Sequence, residues 1–286
     1  MRKILITFGG SAYDEITAHV HETFRTFGAD EFWVYDDRWL DGHEFRKLNS
    51  WLWDHQGTHP NAPKGRGFGW YAWKPLIILD AIARVEREAD HINPDEPVVC
   101  FLDADSAPIA DLSPIWETAD RDGAMLFRAS GQKQHSWCTR DCEVVMGLNP
   151  SMLHEKRLPG RPNYLAPDVP AGCARWAAFK VGPYKPRQLL YEWLAYAINP
   201  MATTFEPSIL GQEPDGFQES RTEQQILTML ALKYGYTLWR EADQDGIAYK
   251  GQPGEPGEYG QLFEQRKRGG PHPLGAGSRF RNVREL

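Results

Sequence analysis

The sequence predicts an α/β fold: a mostly parallel central sheet flanked by helices, in a single domain with a C-terminal tail. Three observations predict it. Apolar strand-like runs alternate with stretches of helical period along most of the chain, the pattern of crossover units. Val98-Val99-Cys100-Phe101-Leu102 is apolar throughout, as a strand covered on both faces must be. Residues 3–8 form an apolar run that passes through the small-residue turn Gly9-Gly10-Ser11-Ala12 into a helical stretch, a strand-turn-helix opening.

Taken in order, the strand at 3–8 is followed by a helix with Asp14 as its cap and Gly28 as its stop. A glycine turn at a strand end leaves room for a nucleotide, so Phe8 and Gly9 are candidate binding positions, although neither G-x-G-x-x-G nor a P-loop is present. Residues 31–35 read as a second strand, and 41–55 carry helical spacing at Phe45, Leu48, Trp51 and Leu52. Residues 64–75 combine three glycines, four aromatic rings and three cations. This stretch is either a loop with a structural aromatic cluster or an anion site in which Arg66 and Lys74 meet a diphosphate. Pro75 predicts a helix start, with Leu76, Ile77, Leu79, Ile82 and Val85 as its apolar stripe.

The buried strand at 98–102 emerges into Asp103-Ala104-Asp105. In extended geometry the two carboxylates project to one side of the strand's carboxyl end, where open α/β sheets keep their ligands. Carboxylates held together repel unless a cation lies between them, and hard oxygen donors suit Mg2+ or Mn2+. The same tripeptide also suits a turn whose aspartates cap backbone groups.

Further along, the pattern gives a helix at 111–119 and a strand at 124–128, then a helix or strand over 139–147. A proline-rich loop follows at 148–170, and then a strand at 171–179. Helices at 186–198 and 222–234 precede a late strand at 236–239, and from 243 onward Gly, Pro and charge dominate. The chain therefore divides into a main domain over 1–242 and a tail or wrap-around lid over 243–286.

With 286 residues and 41% apolar content the chain can build a sizeable core, and a net charge of −7 gives no general attraction to nucleic acid. No run approaches the roughly 18 apolar residues of a membrane span. The four cysteines are too sparse for a disulfide scaffold, so the expectation is a cytoplasmic protein with reduced thiols. Cys138 and Cys142 with His135 suggest zinc, but a second ligand pair is missing.

Four stretches in order carry a resemblance: Gly67-Phe68-Gly69-Trp70-Tyr71-Ala72-Trp73-Lys74-Pro75, Leu102-Asp103-Ala104-Asp105, Thr139-Arg140-Asp141-Cys142 leading to Met146-Gly147, and Glu223-Gln224-Gln225-Ile226-Leu227. Together they resemble a bacterial and viral group of glycosyltransferases of the Rossmann-like GT-A fold, over roughly residues 64–240. The resemblance implies a nucleotide-diphosphate-sugar donor and Mn2+ or Mg2+. Asp105 would bind the metal, Asp103 the metal or the donor ribose, and Lys74 with Arg66 would face the phosphates or the donor sugar. His272 would complete the metal shell; its other reading is a solvated loop residue. Family relatives carry Asp-Gln where Glu223-Gln224 stands here, so Glu223 either reaches the reacting sugar or only starts a helix. Asp141, Glu219 and Glu223 are the candidate bases for an inverting reaction, and Glu223 or Gln224 would serve a retaining one.

The expected acceptor is a glycan or polysaccharide, with Trp51, Trp53, Trp70 and Trp73 available to line a saccharide groove. A modified base of phage DNA is the alternative, for which Arg266-Lys267-Arg268 would supply a phosphate contact. Two other classes fit less of the chain. A haloacid-dehalogenase-type phosphatase places its Asp-x-Asp on the first strand, and a sugar-binding module would use the aspartates only for Ca2+.

Overall fold

Five apolar residues in a row can be buried only if both faces of their strand are covered, and the computed structural model shows that arrangement. It describes residues 1–9, 13–54, 68–88, 96–147, 169–243 and 259–265. Strand β3 (Val98–Leu102) is buried at every position. Val99 and Phe101 face one core, and Val98, Cys100 and Leu102 face the other.

The strands β1 (Lys3–Phe8), β2 (Glu31–Tyr35), β5 (Ala124–Lys133), β6 (Pro170–Lys180) and β7 (Leu238–Trp239) join β3 in a six-stranded sheet of order β2-β1-β3-β6-β5-β7. β1 runs parallel to β2 and β3, β7 runs parallel to β5, and only β6 is reversed, pairing antiparallel with β3 and β5. The mostly parallel α/β sheet expected from the sequence is therefore present.

Helices α5 (Trp73–Glu88), α8 (Tyr184–Ala197) and α10 (Glu223–Lys233) bury their apolar sides in one core, through Ile77, Leu190, Trp193 and Ile226 among others. Helices α1 (Asp14–Thr23) and α6 (Ser113–Asp122) close the other face with Val20, Ile115 and Trp116. Full burial of a large apolar side chain stabilises by about 2–3 kcal/mol, so these two cores carry most of the favourable term. No described helix is long and apolar enough to cross a membrane.

Several elements differ from the sequence expectation, each for a local reason. The first helix ends at Thr23, and a tighter turn at Phe24–Phe27 leads to Gly28, whose φ of 85° is the left-handed stop. The cap is Tyr13 rather than Asp14. Helical spacing over 41–55 resolves into α2 (Asp37–Gly42), α3 (Glu44–Leu48) and α4 (Trp51–Asp54). His43 is extended there, and its Nδ1 accepts from the Phe45 N–H, restarting the helix. The ambiguous 139–147 stretch is α7 (Arg140–Val145), capped by the Thr139 hydroxyl, which accepts from the Cys142 N–H. Of the loop expected over 148–170, residues 148–168 lie outside the described residues, and Pro170 already belongs to the strand Pro170–Lys180.

Within the segment read as a tail, residues 259–265 are described and carry β8 (Phe263–Gln265), which pairs antiparallel with β4 (Ser106–Pro108). Phe263 is fully buried and stacks on Trp176 at 5.6 Å between ring centroids. The short helix α9 (Pro200–Thr203) lies against α10, whose Gln225 Nε2 donates to Ala202 O at 2.7 Å.

Just before α5 the backbone turns left-handed at three successive residues, Gly69 (φ 55°), Trp70 (φ 51°) and Tyr71 (φ 59°). The turn swings Lys74 beneath the end of β3. Trp53 packs against its first residue so closely that a Cβ on Gly69 would lie 2.7 Å from Trp53 Cζ2. Gly69→Ala combines this overlap with an unfavourable φ, so it should destabilise by about 2–4 kcal/mol, measured by denaturant unfolding. A variant as stable as the parent would show that the turn relaxes freely.

Candidate functional site

Strand order places the site before any side chain is considered. From β1 the chain moves to β2 on one side and returns through α5 to β3 on the other. The gap between the carboxyl ends of β1 and β3 is thus a topological switch point, the position where open α/β sheets bind ligands. The two ends are tied together by the Thr7 hydroxyl, which donates to Leu102 O at 2.8 Å. β1 delivers Phe8 and Gly9 to this edge, and β3 delivers Asp103.

The chain leaves β3 as a turn closed by Ser106 N–H donating to Asp103 O at 2.9 Å, so the two aspartates are placed by a turn and not by extended alternation. The Asp103 N–H donates to Arg175 O at 2.8 Å. Opposite, β6 carries three extra residues: Leu126 pairs with Ala177 while Phe127 pairs with Cys173. A bulge of this kind releases carbonyls from the ladder and redirects side chains. The released Ala174 carbonyl accepts from Lys74 Nζ at 3.1 Å.

Lys74 is the centre of the site. Its ammonium lies 2.9 Å from Asp103 Oδ1 and 3.1 Å from Glu223 Oε1, which with Ala174 O gives three acceptors for three N–H donors. The rings of Tyr71, Phe101 and Trp73 surround it at 5.0, 5.5 and 5.9 Å to their centroids. Burial opposes its charge, but Asp103 and Glu223 outweigh burial and hold its pKa above the ordinary lysine value. Asp103 moves the other way from an ordinary ion-paired acid. Burial, with Asp105 and Glu223 adding repulsion, pushes its pKa up to about 6 against the opposing pull of Lys74.

Glu223 opens α10, with its carboxylate shared between Lys74 and the Thr222 hydroxyl, which donates to Oε2. Its backbone carbonyl accepts from Trp193 Nε1 at 3.0 Å. Thr222 has φ 47° and ψ −121°, an uncommon conformation for a β-branched residue that turns Glu223 inward. Backbone strain of this kind clusters at functional positions.

The other residues singled out in the sequence separate into three groups. Asp105 sits on the turn beside Asp103, half-buried, with the Ser106 hydroxyl 3.5 Å from Oδ1. Phe8 stacks on Trp73 at 4.3 Å, behind Lys74, and a Cβ on Gly9 would lie 2.9 Å from Thr17 Cγ2, so the missing side chain is used by helix α1. Gln224 points to Gln132, with Nε2 to Oε1 at 3.4 Å. Asp141 is buried, and its carboxylate accepts from the Ile209 and Leu210 N–H groups, pinning that loop. Among the described contacts none joins Asp141 to Lys74, Asp103 or Glu223. Arg66, His272 and the run Arg266-Lys267-Arg268 lie outside the described residues. Cys138 and Cys142 are buried thiols against Met229 and Met146, and His135 contacts the Ser136 hydroxyl.

One residue beside the site was not singled out. Arg175, at the centre of the bulge, reaches Asp243 at 3.2 Å and Glu241 at 3.5 Å. A lone cation inside the apolar run 171–179 is the signal that marks it in the sequence.

Among the described residues no group of three or more His, Cys, Asp or Glu is placed to hold a metal. The donor chemistry nonetheless suits a divalent cation as a partial shell. Asp103 and Asp105 are hard oxygen donors in mutual repulsion, and among the described residues the one ammonium in contact with Asp103 is shared with Glu223.

No family model matches the sequence, and no curated protein matches it. Among solved structures, the apo form of mouse xyloside xylosyltransferase 1 is similar with a TM-score of 0.34 and 12% identity, over 83% of this chain and 84% of that one. At that level the likeness assigns nothing to individual residues.

Proposed function

We propose that the chain is a metal-dependent glycosyltransferase, moving a sugar from a nucleotide-diphosphate-sugar donor to an acceptor hydroxyl on a glycan or polysaccharide. The observation that carries this reading is the pair Asp103 and Asp105 at the exit of β3, beside the β1/β3 switch point and backed by the buried Lys74. Asp105 and Asp103 would hold Mn2+ or Mg2+. When bound, the ion supplies Lewis-acid stabilisation of the diphosphate leaving group.

The chain's own groups then divide the work. Lys74, fixed by three acceptors, keeps Asp103 ionised and aimed out of the strand. Glu223 holds Lys74 from below, which assigns its carboxylate to the positioning of the lysine. Trp73, stacked on Phe8, covers the lysine together with Tyr71 and Phe101.

The test is donor hydrolysis. Purified protein with UDP-, GDP-, ADP- and dTDP-sugars should release nucleoside diphosphate with Mn2+ or Mg2+ and not with EDTA. A protein that neither binds nor hydrolyses any of them would remove the basis for a transferase.

A further inference from the structure

We infer that Arg175 is the side chain that grips the anionic diphosphate beside Asp103-Ala104-Asp105, the role the sequence points to Lys74 for. This rests on the nucleotide-sugar reading above. Lys74 has no capacity left: its three N–H donors are occupied, its side chain is 5% exposed, and a phosphate could reach it only by displacing Asp103, Glu223 or Ala174 O.

Arg175 differs on every count. The bulge sets its backbone against Asp103, and its side chain is 34% exposed. Its guanidinium is oriented from the interior. Nη1 meets Asp243 and Glu241, while the Gln265 amide, with its oxygen turned to the guanidinium, accepts from Nε at 3.0 Å and from Nη1 at 2.6 Å. The Trp176 ring packs 5.7 Å from Cζ. The polar contacts all involve Nη1 or Nε, and Nη2 makes no hydrogen bond among the described residues. A rigid guanidinium held through Nη1 and Nε, on a residue whose own carbonyl is bonded to the Asp103 N–H and whose charge interacts with Asp103, matches a phosphate oxygen better than a mobile ammonium does. The acids around it also set a condition. They repel a bare diphosphate, so the grip operates on a diphosphate that arrives with its divalent cation.

Gln265 belongs to β8 and Asp243 to the turn after β7, so two late segments of the chain aim this residue. They act as positioning groups, and Arg175 as the contact.

The test is equilibrium binding of UDP, GDP, ADP and dTDP with Mn2+, of the matching nucleosides, and of Mn2+ alone. The proteins compared are the parent, Arg175→Met and Arg175→Lys. Arg175→Met keeps the stem and removes the fork. It should weaken the preferred diphosphate by about tenfold or more while Mn2+ alone binds within about twofold of the parent. Should Arg175→Met fail to fold because Glu241 and Asp243 lose their cation, Arg175→Lys keeps the charge and loses the planar fork, and it should still show several-fold weaker diphosphate binding. Diphosphate affinity equal to the parent in a folded Arg175→Met or Arg175→Lys overturns the assignment and leaves the donor reading standing. A parent protein that binds none of the four diphosphates overturns both.

Discussion

Asp105→Ala should abolish metal-dependent donor hydrolysis, by at least about a hundredfold, and leave the protein folded. The carboxylate is half-buried on a turn, and its one described hydrogen bond is a 3.5 Å contact with Ser106. Little of the fold therefore depends on it. Its charge adds to the repulsion that raises Asp103, so its removal should leave the melting temperature unchanged or slightly higher. Loss of activity together with retained or increased stability separates a ligand from a structural cap, since loss of a capping carboxylate costs about 1 kcal/mol. Hydrolysis assayed with Mn2+ and a thermal melt of the same sample decide the matter. Full activity would end the metal role of this residue.

The second large effect is structural. Lys74→Met should destabilise by about 3–5 kcal/mol, because it leaves Asp103 and Glu223 without their shared cation in a buried site. For a chain of this size that is a fall in melting temperature on the order of 10 °C. Adding Glu223→Gln should recover part of the loss, since the double variant buries one fewer unpaired charge. A Lys74→Met protein that melts with the parent would mean that Asp103 is neutralised by other means. Loss of activity in Lys74→Met carries no mechanistic weight until the double variant has been measured.

Much of this was legible in the sequence because it rests on local pattern. The run at 98–102 required a strand covered on both faces, and the alternation of periods required a layered α/β sheet. Lys74, Asp103 and Glu223 each stood out singly. Their meeting did not, since Asp103 and Glu223 come from distant elements and the third acceptor, Ala174 O, is freed by a bulge in β6 that only the pairing of Leu126 with Ala177 and Phe127 with Cys173 reveals. Asp141 looked available because an acid beside a helix start has no visible partner in sequence; its partners are backbone N–H groups of residues 209 and 210. The Asp-x-Asp spacing after an apolar strand predicts extended alternation, whereas a backbone hydrogen bond from Ser106 N–H to Asp103 O closes the segment into a turn. Arg175 went unremarked because one charge in an apolar strand gains meaning only from what stands beside it.

The contacts of Lys74 also govern when the site can exist. Its ammonium joins Asp103, Ala174 and Glu223, and the bond to Ala174 alone spans 100 residues of sequence. Each of these loops must close before the lysine has all its partners, and contacts of such separation form late in folding. During synthesis Lys74 and Asp103 leave the ribosome well before Glu223, so the nascent chain passes through a stage in which the strand end exists and its counter-charge is incomplete. A fragment ending before α10 would then hold Asp103 and Asp105 without the Glu223 contact that helps to fix Lys74.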